Sequence, residues 1–241
     1  MKHNINIFCN NERVGIIEID LNSNDVELIY DENWKNIGFE LSPHLKFDKS
    51  IDSNSIKKFV NNLLPEGNGL DAISIILQIS KANKFGLLEA IGNETAGALT
   101  FSPDNIVVTN FREISNEELT ERIMNKDNIN ITLWDGKIRL SLSGVQDKLP
   151  LVVLKDNKYG IGEGKIASTH ILKFEKKDDI HLVLNEYFCM KLAKLCGLNV
   201  AEVEIRKFGT QNVLFVKRFD REFFEIDDKS FEISKRHIID G

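Results

Sequence analysis

Ser141, Ser143 and Gly144 stand close together ahead of Lys148 in the run Ile138-Arg-Leu-Ser-Leu-Ser-Gly-Val-Gln-Asp-Lys148, and Lys173 ends the run Thr169-His-Ile-Leu-Lys173. Small residues let a backbone come close to a polyphosphate, with N–H groups and hydroxyls as donors, and a lysine ending a β-rich run offers a compact cation to the same oxygens. These types suit the gripping of nucleotide phosphates. A lone Ser-x-Ser-Gly is more often only a turn, so its meaning depends on the elements around it.

Those elements can be read in outline. Leu149-Pro-Leu-Val-Val-Leu154 predicts a strand, bounded by a hairpin at Asp156-Asn157, and residues 168–174 predict another. A helix is expected from about Asp179 to Cys196, with Leu184, Tyr187, Phe188, Leu192 and Leu195 along one face and Gly197 as its C-cap. Strands over 203–206 and 213–219 complete a sheet with one helix. Gly160-Ile-Gly-Glu-Gly-Lys165 has the wrong glycine spacing for a Walker A loop, and Ile166 replaces the required Ser or Thr. Its glycines are expected to shape a turn.

Nearer the N-terminus, alternation from Ile5, a turn at Asn10-Asn11, and the runs Val14–Ile19 and Val26–Tyr30 predict a small antiparallel sheet. Ile56, Phe59, Val60 and Leu63 recur at helical spacing before Pro65 and Gly67, and apolar stripes follow at 70–80 and 86–91. Residues 96–101 predict one more strand, closed by Pro103. Ser115 with Glu118 forms a capping box for a short helix over 116–125, in a charged stretch that reads as a solvated connection.

Four motifs now fall in order: Ser141 to Lys148, Thr169 to Lys173, Asn185-Glu-Tyr-Phe-Cys189 through Leu192-Ala-Lys-Leu-Cys-Gly-Leu198, and Lys217-Arg-Phe-Asp-Arg221. Together they resemble the HipA family of toxin serine/threonine kinases, and residues 59–66 and 94–101 resemble the family's N-terminal subdomain. The resemblance implies an α+β fold, with a small sheet-and-helix subdomain at 1–105, a connecting segment at 106–136, and a kinase-like N-lobe at 137–241, an antiparallel sheet with one helix.

The same resemblance implies ATP and Mg2+ as the family's cofactors. It assigns nucleotide contacts to Ser141, Ser143, Gly144, Val145, Gln146, Lys148 and Lys173, with Glu186 as the helix glutamate that positions Lys173. Backbone groups of Lys217-Arg218-Phe219 match the hinge that meets adenine. Ser141 and Ser143 match sites of autophosphorylation, where roughly two added negative charges would repel ATP. The implied target class is an aminoacyl-tRNA synthetase, and the implied partner a HipB-like helix-turn-helix antitoxin through which DNA is reached only indirectly.

One departure matters. A kinase of this kind needs an Asp-x-x-x-x-Asn loop and a later Asp for catalysis and magnesium, and no such spacing follows Phe219. Asp31 and Asn36 have it by coincidence, among strand and turn residues. The expectation is therefore a kinase truncated before its helical catalytic lobe, without catalytic residues and inactive alone. The alternatives to this reading are a non-enzymatic antitoxin-binding module and one half of a split kinase completed by a separate polypeptide.

Composition sets the outer limits. A chain of 241 residues with 42% hydrophobic and 28% charged residues can bury a sizeable core. A net charge of -6 argues against nucleic-acid binding by the chain alone, which draws on clustered Lys and Arg. No apolar run has the length of a membrane span and no signal-peptide core follows Met1, which points to the cytoplasm. Cys9, Cys189 and Cys196 form no C-x-x-C pair, fit a reducing compartment, and the latter two are expected as buried thiols. The five scattered histidines suggest no zinc site.

Overall fold

The computed structural model describes residues 1–93, 95, 97–105, 109–139, 148–155, 158–175, 181–227 and 230–238. They divide into two compact units, one made of 1–105 with 235–238 and the other of 109–139 with 148–234.

In the first unit, β1 (Lys2–Cys9), β2 (Glu12–Asp20), β3 (Val26–Tyr30) and β4 (Leu99–Ser102) form an antiparallel sheet in the order β3-β2-β1-β4. Asn10 turns the first hairpin in the left-handed region, φ 53°, which asparagine tolerates. On β3 the buried and exposed residues alternate, as a sheet with one covered face requires. Helices α1 (Glu32–Ile37), α2 (Ser53–Leu63), α3 (Asn68–Leu77) and α4 (Lys84–Ile91) follow. Asp31, Asp52 and Asn83 cap the first, second and fourth by accepting from the backbone N–H two or three residues on. Residues 235–238 belong to this unit: Lys235 exchanges hydrogen bonds of 2.8 and 3.1 Å with the Asn10 side chain, and its buried Nζ donates to Thr100 Oγ1 at 2.7 Å.

The second unit is built on six antiparallel strands: β5 (Asn110–Ile114), β8 (Lys148–Val153), β9 (Tyr159–Glu163), β10 (His170–Phe174), β11 (Val203–Phe208) and β12 (Gln211–Lys217), ordered β11-β12-β10-β8-β9-β5. Helix α5 (Asn116–Met124) starts at the predicted cap, with Ser115 Oγ accepting from the Glu118 N–H at 3.1 Å. A two-residue hairpin joins β6 (Leu133–Trp134) to β7 (Lys137–Ile138) through Asp135 and Gly136, both at positive φ as a type I′ turn requires. Helix α6 (Leu182–Leu195) precedes β11, and β13 (Arg221–Asp227) pairs with β14 (Ser230–Lys235).

One face of this sheet carries Leu149, Leu151, Leu172, Phe174, Val213 and Phe215, packed with Leu119 and Ile123 of α5 and with Trp134. The α+β class expected from the motifs is the class found. Residues 109–136, which fall in the stretch 106–136 expected as a connection, contribute an edge strand and part of this core.

Two expectations are corrected. Gly160 and Gly162 lie inside β9, where an added Cβ would meet the Phe111 ring at 2.3 Å and the Ile166 carbonyl at 2.0 Å. Close packing, not turning, explains those two glycines, and only Gly164 takes a positive φ, 67°. Cys189 and Cys196 are exposed, because α6 turns other residues to the sheet, while Cys9 is buried and its thiol pushed up to about 11 by that burial. No helix of the described residues is long and apolar enough to cross a membrane.

Candidate functional site

Strand register decides which side chains can meet. On β10, Lys173 lies opposite Lys148 of β8 and Leu214 of β12, while Ile171 lies opposite Pro150 and Val216. Cross-strand partners share a face, so these six project from the side of the sheet opposite the Phe215 core. Helix α6 covers part of that side with Val183, Tyr187 and Met190, packed on Val203, Ile205, Leu214 and Val216.

The helix brings Glu186 to the strand lysine: Lys173 Nζ donates to Glu186 Oε1 at 2.5 Å, with side chains 20% and 29% exposed. Beside them, burial pushes the half-buried Lys148 ammonium below its usual range, the charge of Lys173 lowers it further, and Glu186 partly restores it. Two lysines therefore share one nearby carboxylate. The predicted trio Lys148, Lys173 and Glu186 is thus brought together.

Lys217 and Phe219 fall elsewhere, since Lys217 lies opposite His170 at the start of β10 and on the other face of the sheet from Lys173. Lys217 closes β12 with its side chain exposed and its Nζ 3.1 Å from Glu202 Oε2, and Phe219, expected within the strand, sits in the following turn and is exposed. The Lys217 and Arg218 N–H groups donate to the Glu202 and Thr169 carbonyls. Ser141, Ser143, Gly144, Val145 and Gln146 lie outside the described residues. Arg139, the last described residue before that stretch, is anchored with Lys137 on buried Glu163. Burial alone would raise the Glu163 carboxyl, but hydrogen bonds and charge from Lys137 and Arg139 outweigh it and hold it low.

The sequence motif hid a second cluster. Arg218 forms a fork on Asp220, Nε to Oδ1 at 3.0 Å and Nη2 to Oδ2 at 2.8 Å, and gives Nη1 to Ser168 Oγ at 3.0 Å. Arg221 Nη1 adds a bond of 2.6 Å to Asp220 Oδ2. Burial pushes the Asp220 carboxyl up, yet hydrogen bonding to Arg218 and the two guanidinium charges bring it below its usual value. The available signal was Arg218 and Asp220 at strand spacing, with Lys217 and Phe219 facing the other way.

A cavity of about 450 Å³ opens at the β11 edge, lined by residues that include His170, Met190, Lys194, Glu204 and Arg206, and shares only Lys217 with the predicted contacts. Its acidic and basic rims pair with each other, Glu204 with Arg206 and Glu202 with Lys217, so we place the site at the Lys173–Glu186 pair. Among the described residues no three His, Cys, Asp or Glu side chains gather to hold a metal ion.

Comparison with known proteins identifies the family. A HipA N-terminal domain model matches residues 5–102 and a HipA-like C-terminal domain model matches residues 140–241. Serine/threonine-protein kinase toxin HipA of Shewanella oneidensis is 41% identical over 230 residues, covering 95% of this chain and 52% of that protein. Putative kinase Y4mE of Sinorhizobium fredii is 30% identical over 228 residues, covering 90% and 54%. The chain thus spans about half the length of the curated relatives it matches. In a solved complex of Shewanella oneidensis HipA, HipB and operator DNA, a chain 40% identical superposes with a TM-score of 0.81 over 97% of this chain and 54% of its own. With both domain models in sequence order and this fold in common, the chain belongs to the HipA family.

Proposed function

We propose that the second unit is the nucleotide-holding half of a HipA-like serine/threonine kinase, and the observation that carries this is the Lys173–Glu186 pair. A lysine fixed by a helix carboxylate meets nucleotide phosphates in one orientation, and Lys148 adds a second cation alongside. Ile171, on the same face as Lys173 and half-buried, offers an apolar side chain suited to a purine ring. The Lys217 and Arg218 N–H groups are already bonded, so an adenine edge would meet other backbone groups of that segment.

ATP, when bound, supplies the γ-phosphoryl group, and Mg2+ in the family bridges its phosphates. The residues matched here bind and orient; residues 1–241 contain no Asp-x-x-x-x-Asn after Phe219, so they do not transfer phosphoryl by themselves. Phosphorylation at Ser141 or Ser143 would add negative charge to the stretch that leads into Lys148 and so weaken nucleotide binding. The first unit serves to dock a HipB-like antitoxin, through which the complex reaches DNA. The target is an aminoacyl-tRNA synthetase and the setting the cytoplasm. Support for the partner comes from the HipA–HipB–DNA complex that this fold matches.

Calorimetry with ATP and Mg2+ tests the site. Lys173→Ala should weaken binding about tenfold or more, as the loss of a charge-assisted phosphate contact requires. Equal affinity in wild type and variant would remove the site from the β10 face.

A second reading, in which this chain is one half of a kinase completed by another segment or polypeptide, is favoured by the outer face of α6. Leu184, Phe188, Leu192 and Leu195 are exposed there, opposite Val183, Tyr187 and Met190, and a helix apolar on both sides is normally covered on both. Mixing this chain with the remaining half of Shewanella oneidensis HipA should then restore phosphate incorporation. Two folded halves that stay inert would sink the idea.

A further inference from the structure

The N-terminus of α6 has no cap of the ordinary kind. Its N-cap residue is His181, left-handed at φ 72°, and no side-chain hydrogen bond comes from it. The first N–H groups of a helix lack intrahelical acceptors, and such a helix normally begins on Ser, Thr, Asp or Asn. Here an acceptor comes from the sheet: Glu175 Oε1 takes the N–H of Val183 at 3.2 Å. Val183 is fully buried and is one of the residues that seat α6 on the strands.

Glu175 lies two residues beyond Lys173, immediately after β10, so on an extended segment the two side chains leave the same side. One stretch of chain thus holds α6 twice, at the Val183 N–H through Glu175 and, about one turn later, at Glu186 through Lys173. The other carboxylate oxygen of Glu175, Oε2, is buried without a hydrogen-bond partner among the described residues.

We propose that Glu175 is a positioning residue: it fixes the start of α6 against β10 and thereby sets the height at which Glu186 meets Lys173. The proposal rests on the reading of that pair as the nucleotide-holding contact. Its mechanical part can be measured without nucleotide. A negative group at a helix N-terminus also complements the helix dipole, so both its oxygen and its charge favour the seated helix.

The experiment is a double-mutant cycle between Lys173 and Glu186, read from unfolding stability of the full chain, in wild type and in Glu175→Ala, with amide exchange at Val183 followed in parallel. In Glu175→Ala the Val183 amide should exchange about tenfold faster or more, and the Lys173–Glu186 coupling should fall below about half. Glu175→Gln retains an acceptor oxygen and should rescue most of the coupling, which a purely stabilising residue would not do. If the alanine variant does not fold, Glu175→Asp replaces it: the shorter side chain withdraws the oxygen and must weaken the coupling too. Coupling that is unchanged in Glu175→Ala, or in Glu175→Asp where it takes that place, overturns the proposal. ATP–Mg2+ affinity separates the two levels, since a Lys173→Ala variant that binds as tightly as wild type removes the nucleotide reading and leaves the coupling result standing.

Discussion

Lys173 and Glu186 meet with side chains 20% and 29% exposed, whereas Arg218, Asp220 and Arg221 meet with side chains 1% to 5% exposed. Both clusters flank β10 and β12 of one sheet, and among the described residues each sets two basic side chains around one carboxylate, with Lys148 beside the first pair. The difference lies in water. A partly open pair can exchange its partner for a phosphate at modest cost, because solvent screens each charge while the exchange takes place. A closed cluster cannot, since every charge in it depends on its neighbours for solvation. The open cluster suits binding, and the closed one fixes the backbone that presents Lys217 and Phe219.

The most severe way to break this contrast is Asp220→Ala. It leaves two buried guanidiniums without their shared carboxylate and should destabilise the second unit by about 3–5 kcal/mol in urea unfolding. Lys173→Ala should cost less than about 1 kcal/mol in the same assay, while weakening nucleotide binding. Similar losses in both variants would mean that the Lys173 pair is structural. Acid sharpens the same point: the Asp220 carboxyl lies below its ordinary 3.8 in the folded chain, so its contribution is complete above that pH and disappears as pH falls through the lower folded value.

A smaller effect is expected at His170, whose ring is pushed down to about 4, chiefly by burial and then by the nearby Arg206, from an ordinary 6.5. A histidine lowered in the folded state binds protons more readily when unfolded, so stability is complete above pH 6.5 and is lost as pH falls toward 4. The loss should reach about 2–3 kcal/mol across that window. His237, also lowered by burial, contributes in the same direction, so the readout is the difference between wild type and His170→Gln. Identical pH profiles would show that His170 carries none of the slope.

How far the residues alone revealed this arrangement varies by element. The capping box at Ser115, the alternating strands and the strand lysine were legible because each depends on local spacing. Glu186 was legible only through the family motif. The seating of α6 was not: Leu184, Phe188, Leu192 and Leu195 form as good a stripe as Val183, Tyr187 and Met190, so periodicity does not choose a face for a helix apolar on both sides. The contribution of 109–139 to the sheet also escaped, because pairing of β5 with β9 joins residues about fifty apart and depends on packing rather than on local signals. The buried Arg218–Asp220–Arg221 cluster was not visible either, since charged residues are rarely fully buried unless paired, and the pairing appears only once the segment between β12 and β13 is folded.

The mildest test concerns Lys217, which borders both clusters and belongs to neither. Its ammonium is exposed and pairs with exposed Glu202, so Lys217→Ala should change stability by less than about 0.5 kcal/mol. If that segment meets adenine through its backbone, the substitution should also leave ATP affinity within about twofold, because the alanine keeps the same carbonyl and the Arg218 and Thr169 bonds still hold the chain in place. A large loss of affinity without loss of stability would transfer the contact to the ammonium itself. Lys217 lies opposite His170, on the other face of the sheet from Lys148 and Lys173, so that result would move the nucleotide contact away from the Lys173 side altogether.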